Sequence, residues 1–172
     1  ASVELVDRAT GIVLDRQPAF VAMQPGGTAI AWSGPRIPSK PGLRSEVLHL
    51  WTPEVPDALL YPPADLRPAA LGFQWAPDGK SLLVRWGADP LRAPSDWLSV
   101  AWLTTDGRLL MNAVLEGLQP DPQWKPGPGG RMGLRAAGSA WAWDGRAQAA
   151  RHLAGVRGEW GWSPDGRLIA GL

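Results

Sequence analysis

The chain has 172 residues, enough for one domain with a sizeable core and short for two. Its 17 Lys and Arg stand against 16 Asp and Glu, a net charge of +1, so no overall field draws it toward nucleic acid or an anionic membrane. The absence of Cys excludes disulfides, thiolate metal sites and Cys nucleophiles, while 21 Gly and 18 Pro accompanied by 11 Trp fit short strands, frequent turns and bulky side chains between packed sheets.

In chain order, the first element is a hairpin. Residues 3–6 and 12–14 are apolar runs around a turn at Asp7 to Gly11. The start at Ala1 fits a removed leader or tag, or a piece of a longer chain, and no run approaches the roughly 18 apolar residues of a membrane-spanning helix. Next comes a turn at Met23-Gln24-Pro25-Gly26-Gly27, followed by a strand and a long polar connection from Ser33 to Arg44. Residues 47–51 and 58–61 form a further hairpin through Thr52 to Asp57.

Gln74-Trp75-Ala76-Pro77-Asp78-Gly79-Lys80 then sets the pattern for a tight turn, with the apolar run Leu82 to Trp86 after it. Pro fixes φ, Asp hydrogen-bonds its own backbone, and Gly accepts positive φ. A second long connection, Gly87 to Trp97, leads to a hairpin turning at Asp106-Gly107. Trp124-Lys125-Pro126-Gly127 repeats the first kind of turn, Asp144-Gly145 the second, with a returning strand expected at 147–149. Gly161-Trp162-Ser163-Pro164-Asp165-Gly166-Arg167 closes the series.

Aligning Pro25, Pro77, Pro126 and Pro164 puts Met23, Trp75, Trp124 and Trp162 at one repeat position. The two kinds of hairpin alternate, so one repeat is four antiparallel strands, A to D: a propeller blade. The turns resemble those of TolB-like and WD-repeat-like β-propellers, whose blades carry Trp-Ser-Pro-Asp-Gly-Lys/Arg before an apolar strand. Residues 75–80 and 162–167 match closely, whereas the copies at Pro25 and Pro126 lack the Asp-Gly pair.

The expected fold is therefore all-β: a single propeller domain over 1–172, with blades at 18–62, 70–117 and 121–154 and a fourth composed of 157–172 with 1–16. Spread over four blades, 172 residues give 43 each, within the roughly 40–45 of such repeats. Joining the terminal half-blades removes two exposed edges. A segment of a larger ring and half of an eight-bladed homodimer stay open beside the closed ring.

Strand order puts the Asp-Gly turns on one face, where Asp78, Asp106, Asp144 and Asp165 read as turn formers. The opposite face carries the long loops, with Arg36, Lys40, Arg44, Asp89, Arg92, Asp96 and Trp97 as a candidate surface for a protein or peptide partner. Gln74, Asp121, Gln123, Glu159 and Trp160 lie at the expected channel mouth, where water or an axial cation such as calcium would sit; no cofactor is otherwise expected. Trp86 and Trp97 are the candidate platforms for a sugar or aromatic ligand. No catalytic motif is present: His49 and His152 fall on different blades, and Asp121 with Glu159 is the one carboxylate pair a hydrolase would have. The expected role is a non-catalytic binding or scaffold module. Resemblance to TolB-like proteins implies export to a periplasmic or extracellular setting.

Overall fold

The structure is a computed structural model that describes residues 5–6, 11, 13–15, 20–35, 46–54, 58–61, 70–87, 99–114, 123–136, 138–156, 159–167 and 169–171. The described residues are all-β apart from one 3-10 turn at Pro128–Gly130. Strands β1 (Leu5–Val6) and β2 (Val13–Asp15) form a leading hairpin. A first four-stranded sheet follows, of β3 (Phe20–Met23), β4 (Ile30–Pro35), β5 (Glu46–Trp51) and β6 (Ala58–Tyr61). The second sheet is β7 (Ala70–Trp75), β8 (Ser81–Gly87), β9 (Ser99–Thr104) and β10 (Leu109–Val114). The third is β11 (Gln123–Pro126), β12 (Met132–Ala136), β13 (Ser139–Trp143) and β14 (Arg151–His152). A terminal hairpin of β15 (Trp160–Trp162) and β16 (Ile169–Gly171) ends the chain. Each four-stranded sheet is an antiparallel meander in sequence order.

The sheets pack face to face. One core joins the first two sheets, with Ala31, Leu48 and Leu50 against Phe73, Trp75, Leu82, Val84, Ala101 and Leu103. Another joins the second and third, with Leu83, Val100, Trp102 and Met111 against Met132, Leu134, Trp141 and Trp143. The second sheet is thus covered on both faces. That is why β9, Ser-Val-Ala-Trp-Leu-Thr, is buried along its whole length and has no apolar-polar alternation: Ala101 and Leu103 serve one core while Val100 and Trp102 serve the other. Trp32 and His49, a cross-strand pair in the first sheet, stack with ring centroids 4.9 Å apart, and Trp102 meets Trp124 and Trp143 edge-on.

An indole anchors two of the joints in the same way. Trp75 donates its Nε1–H to the carbonyl of Ala22 at 3.2 Å, and Trp162 donates to the carbonyl of Lys125 at 3.0 Å. In both cases the Trp ends the first strand of its sheet or hairpin and reaches the first strand of the sheet before it. The turns fix the equivalence. The N–H of Gln24 bonds Ala29, that of Ala76 bonds Ser81, and that of Gly127 bonds Arg131, so Met23, Trp75 and Pro126 occupy the same place.

This corrects the alignment on Pro126. The third sheet's turn runs Gly127-Pro128-Gly129-Gly130, two residues later than the proline match suggests, because Gly129 and Gly130 supply the positive φ that the turn needs. Trp124 consequently sits where Phe73 sits in the second sheet, and its ring packs on Trp102. A second correction concerns the strand expected at 147–149. Those residues are a loop, and the fourth strand forms at Arg151–His152, pairing with Ala142 and Trp141. The loop is drawn to the neighbouring sheet: the N–H of Ala150 bonds the carbonyl of Leu110 at 2.9 Å, and Arg108 reaches the carbonyl of Ala147 at 3.3 Å.

Seating an indole requires thin backbone beneath it. A Cβ placed on Gly133 would lie 2.0 Å from Trp160, and one on Gly127 would lie 2.8 Å from the Trp162 ring. Gly133→Ala therefore overpacks the joint and lowers stability by roughly 1–3 kcal/mol. Urea unfolding of Gly133→Ala, of Trp160→Leu and of the double variant checks this. The double variant is expected to lose less than the sum of the singles, and strict additivity would sink the contact.

Candidate functional site

The Asp side chains of the turns are held by local backbone. Asp78 Oδ1 accepts from the Lys80 N–H at 3.1 Å, and Asp165 Oδ1 accepts from the Arg167 N–H at 3.0 Å and from the Ser163 hydroxyl at 2.6 Å. Asp144 Oδ1 takes the N–H groups of Arg146 and Ala147 at 2.8 and 2.7 Å, and Asp106 accepts from the Thr104 hydroxyl. Donation to the charged form holds the carboxyls of Asp106, Asp144 and Asp165 below their ordinary value. For Asp144 the largest cause is the Ala147 N–H, then that of Arg146, with the positive charge of Arg131 a smaller one. For Asp165 it is the Ser163 hydroxyl and then the Arg167 N–H, and for Asp106 the Thr104 hydroxyl.

Between the third sheet and the terminal hairpin, at this turn end, lies a cleft of about 340 Å³. Its walls are Trp143 and Trp162 with Leu153, Ile169 and alanines, and its polar groups are Arg131, Arg151, Arg167 and Asp144. Three elements bring the arginines together. Arg131 follows the third sheet's first turn, Arg151 opens β14, and Arg167 ends the Asp165-Gly166 turn. Close approach of the turns makes the cleft narrow, since a Cβ on Gly166 would meet Pro128 Cγ at 2.9 Å and Arg131 at 3.0 Å.

The polar edges of both indoles are already used. Trp143 donates to the carbonyl of Ala147 at 2.9 Å and Trp162 to that of Lys125, which leaves ring carbon to line the cleft. Arg131 spends one donor on the carbonyl of Pro128 at 3.2 Å. Arg151 and Arg167 are exposed and make no side-chain hydrogen bond or ion pair to a described residue. The cleft thus combines three permanent cations and one carboxylate engaged in its own turn with an apolar wall. It suits an anion attached to an apolar body.

The residues expected on the long-loop face, Arg36, Lys40, Arg44, Asp89, Arg92, Asp96 and Trp97, lie outside the described residues, as does Asp121. Of the expected channel mouth, Gln74, Gln123 and Glu159 are exposed, and no contact joins them as a set. Glu159 instead pairs with Lys125 at 3.0 Å, and the hydrogen bond from that ammonium is the largest cause holding its carboxyl below the usual value. Trp160 is buried against Gly133, spent on packing rather than presented at a mouth. Trp86 is partly buried against the core of the first two sheets. Among the described residues no three His, Asp or Glu side chains come close enough to hold a metal ion, and no helix is long and apolar enough to cross a membrane.

Sequence reading missed Arg131, Arg151 and Arg167 because it assigned the turn face a structural role only. The available signal was the basic residue after three of the glycine turns, at Lys80, Arg131 and Arg167. No protein-family model matches the chain, and no curated protein does. A solved structure described as "Crystal structure of the eukaryotic initiation factor" superposes with a TM-score of 0.51 at 19% identity, covering 94% of this chain. This chain spans 39% of that one, and at such identity the likeness concerns the fold alone.

The Asp144 turn gives a pH test. Its folded-state pKa is depressed, so its contribution is complete above the ordinary value of 3.8 and is lost as pH falls through the lower folded value. Asp144→Ala is expected to lower stability near neutral pH by roughly 1 kcal/mol, the worth of exposed backbone hydrogen bonds. Thermal unfolding of both proteins from neutral pH to below 3.8 should show the difference shrinking on the acid side. A constant difference would mean that the carboxylate charge does not matter.

Proposed function

We propose that the chain is a non-catalytic β-propeller module that recognises a protein or peptide partner, with its three sheets as blades and the two hairpins as halves of a fourth. The observation that carries the recognition reading is the cleft of Arg131, Arg151 and Arg167 against Trp143 and Trp162. Guanidinium groups and indoles are enriched at the centres of binding surfaces, because an indole offers large contact area at low ordering cost and a guanidinium a planar, pre-organised fork of donors. The resemblance of the turns to TolB-like repeats supports an exported setting.

Ring closure would cover an apolar side that the terminal hairpins, each a separate two-stranded sheet, leave open in the structure. Val21 and Met23, in the places of Phe73 and Trp75, point to the side where a preceding sheet would lie, and are 44% and 60% exposed, whereas Phe73 and Trp75 are 6% and 7% exposed. A fourth blade against that side buries them as the second sheet's pair is buried, and avoids leaving an open apolar face.

Two measurements test the reading. Light scattering of the purified chain is expected to give the mass of one chain; a tight dimer would favour the eight-bladed assembly and overturn the four-blade ring. Panning a random peptide library is expected to select sequences that bind wild type and are lost by Arg151→Glu with Arg167→Glu, but are kept when Arg36, Lys40, Arg44 and Arg92 are reversed. The opposite pattern would move the recognition surface to the long loops.

A further inference from the structure

We infer that the ligand class of the cleft between the third sheet and the terminal hairpin is a carboxylate presented beside an apolar side chain, as in an acidic peptide segment. The inference rests on the binding-module reading and narrows it.

Charge gives the first step. Arg151 and Arg167 line the cleft without a hydrogen-bonded partner among the described residues, and Arg131 uses only one donor, on Pro128. Guanidinium donors beside one another are satisfied by an acidic oxygen pair, and a planar carboxylate matches the fork of a single guanidinium.

The choice between carboxylate and phosphate follows from the backbone. A phosphate has three acceptor oxygens to satisfy, and its sites draw on backbone N–H groups as well as side chains. Here those groups are already taken by the turns. The N–H groups of Arg146 and Ala147 donate to Asp144, that of Arg167 to Asp165, and that of Gly166 to the carbonyl of Ser163. Asp144 also stands in the cleft wall and repels a dianion more than a monoanion. The side-chain donors left for the ligand among the described lining residues are those of the guanidinium groups.

Size and lining supply the rest. At about 340 Å³ the cleft is near the small end of ligand sites and admits one or two side chains, not a folded surface. Trp143 and Trp162 have their N–H groups committed elsewhere, so they present apolar ring rather than hydrogen-bond donors. A residue such as Leu beside the acidic group covers that ring, and the same water exclusion strengthens the guanidinium contacts.

The test is a titration of the full chain followed by its indole N–H resonances, with Trp162→Phe assigning the one at the cleft. Three probes are used: an acetylated, amidated Gly-Leu-Glu-Leu-Gly peptide, its Gln counterpart, and the Gln peptide with a free carboxyl terminus. The Glu peptide is expected to shift the Trp162 signal saturably, and the amidated Gln peptide to bind about tenfold more weakly. Binding restored by the free terminus identifies a chain-end carboxylate as sufficient; its absence assigns the side-chain carboxylate. Arg151→Ala and Arg167→Ala, checked for unchanged near-UV circular dichroism, should each weaken the Glu peptide by about tenfold. Equal binding of the Glu and amidated Gln peptides overturns the carboxylate assignment while leaving peptide recognition intact. Inorganic phosphate competing as well as the Glu peptide overturns the choice of anion. No shift with any peptide removes recognition at this cleft altogether.

Discussion

Two of the joints between sheets depend on seating an indole of one sheet on the backbone of the sheet before it. Trp75 reaches the carbonyl of Ala22, Trp162 that of Lys125, and Trp160 lies on Gly133. A Trp buries on the order of 200 Å²; Trp75 and Trp162 also find a carbonyl for their N–H on the facing strand, whereas Trp160 is seated on thin backbone with its buried N–H unpaired among the described residues. The two indole hydrogen bonds fix the offset between neighbouring sheets as well as their separation. That offset brings successive turns into contact, Gly79 on Pro25 at one joint and Gly166 on Pro128 and Arg131 at another.

The same offset makes the cleft. The turns that end at Lys80, Arg131 and Arg167 each carry a basic residue, and each next sheet brings its own turn alongside, so side chains far apart in the chain meet at the rim of a joint. At the joint of the third sheet with the terminal hairpin the rim is open, because residues 145–149 leave β13 as a loop and bond to the second sheet instead of continuing the third. The Oδ1 atoms of Asp144 and Asp165 accept from N–H groups of their own turns, which stabilises the turns, and Arg151 and Arg167 have no counter-ion among the described residues.

The recurrent residues were legible in sequence because their constraints are local. Pro-Asp-Gly fixes a turn through φ, an Asx hydrogen bond and positive φ, all within four residues, so the turns at Gly79 and Gly166 and the strands around them follow from the text of the chain. The all-β class and the three four-strand units, bounded by two hairpins, follow from the spacing of those turns. The Trp124 alignment failed for a related reason. Proline marks a turn in two registers, at Pro126 and Pro128, and only the pairing of Gly127 with Arg131 distinguishes them.

Tertiary structure alone decided the rest. Which face of the third sheet meets the terminal hairpin, which glycine lies under an indole, and which arginines share a cleft are contacts between residues up to 37 positions apart, with no repeat to announce them. Strand D of the third sheet shows the limit most plainly. Its local sequence after Asp144-Gly145 fits a hairpin, yet hydrogen bonds to Leu110 and from Arg108 compensate the loop backbone and move the strand to Arg151. Sequence by itself determined the turns, since a turn is paid for within its own few residues. The joints between sheets, and the charged cleft that one of them opens, were decided by packing, because burying an indole depends on what the other sheet offers.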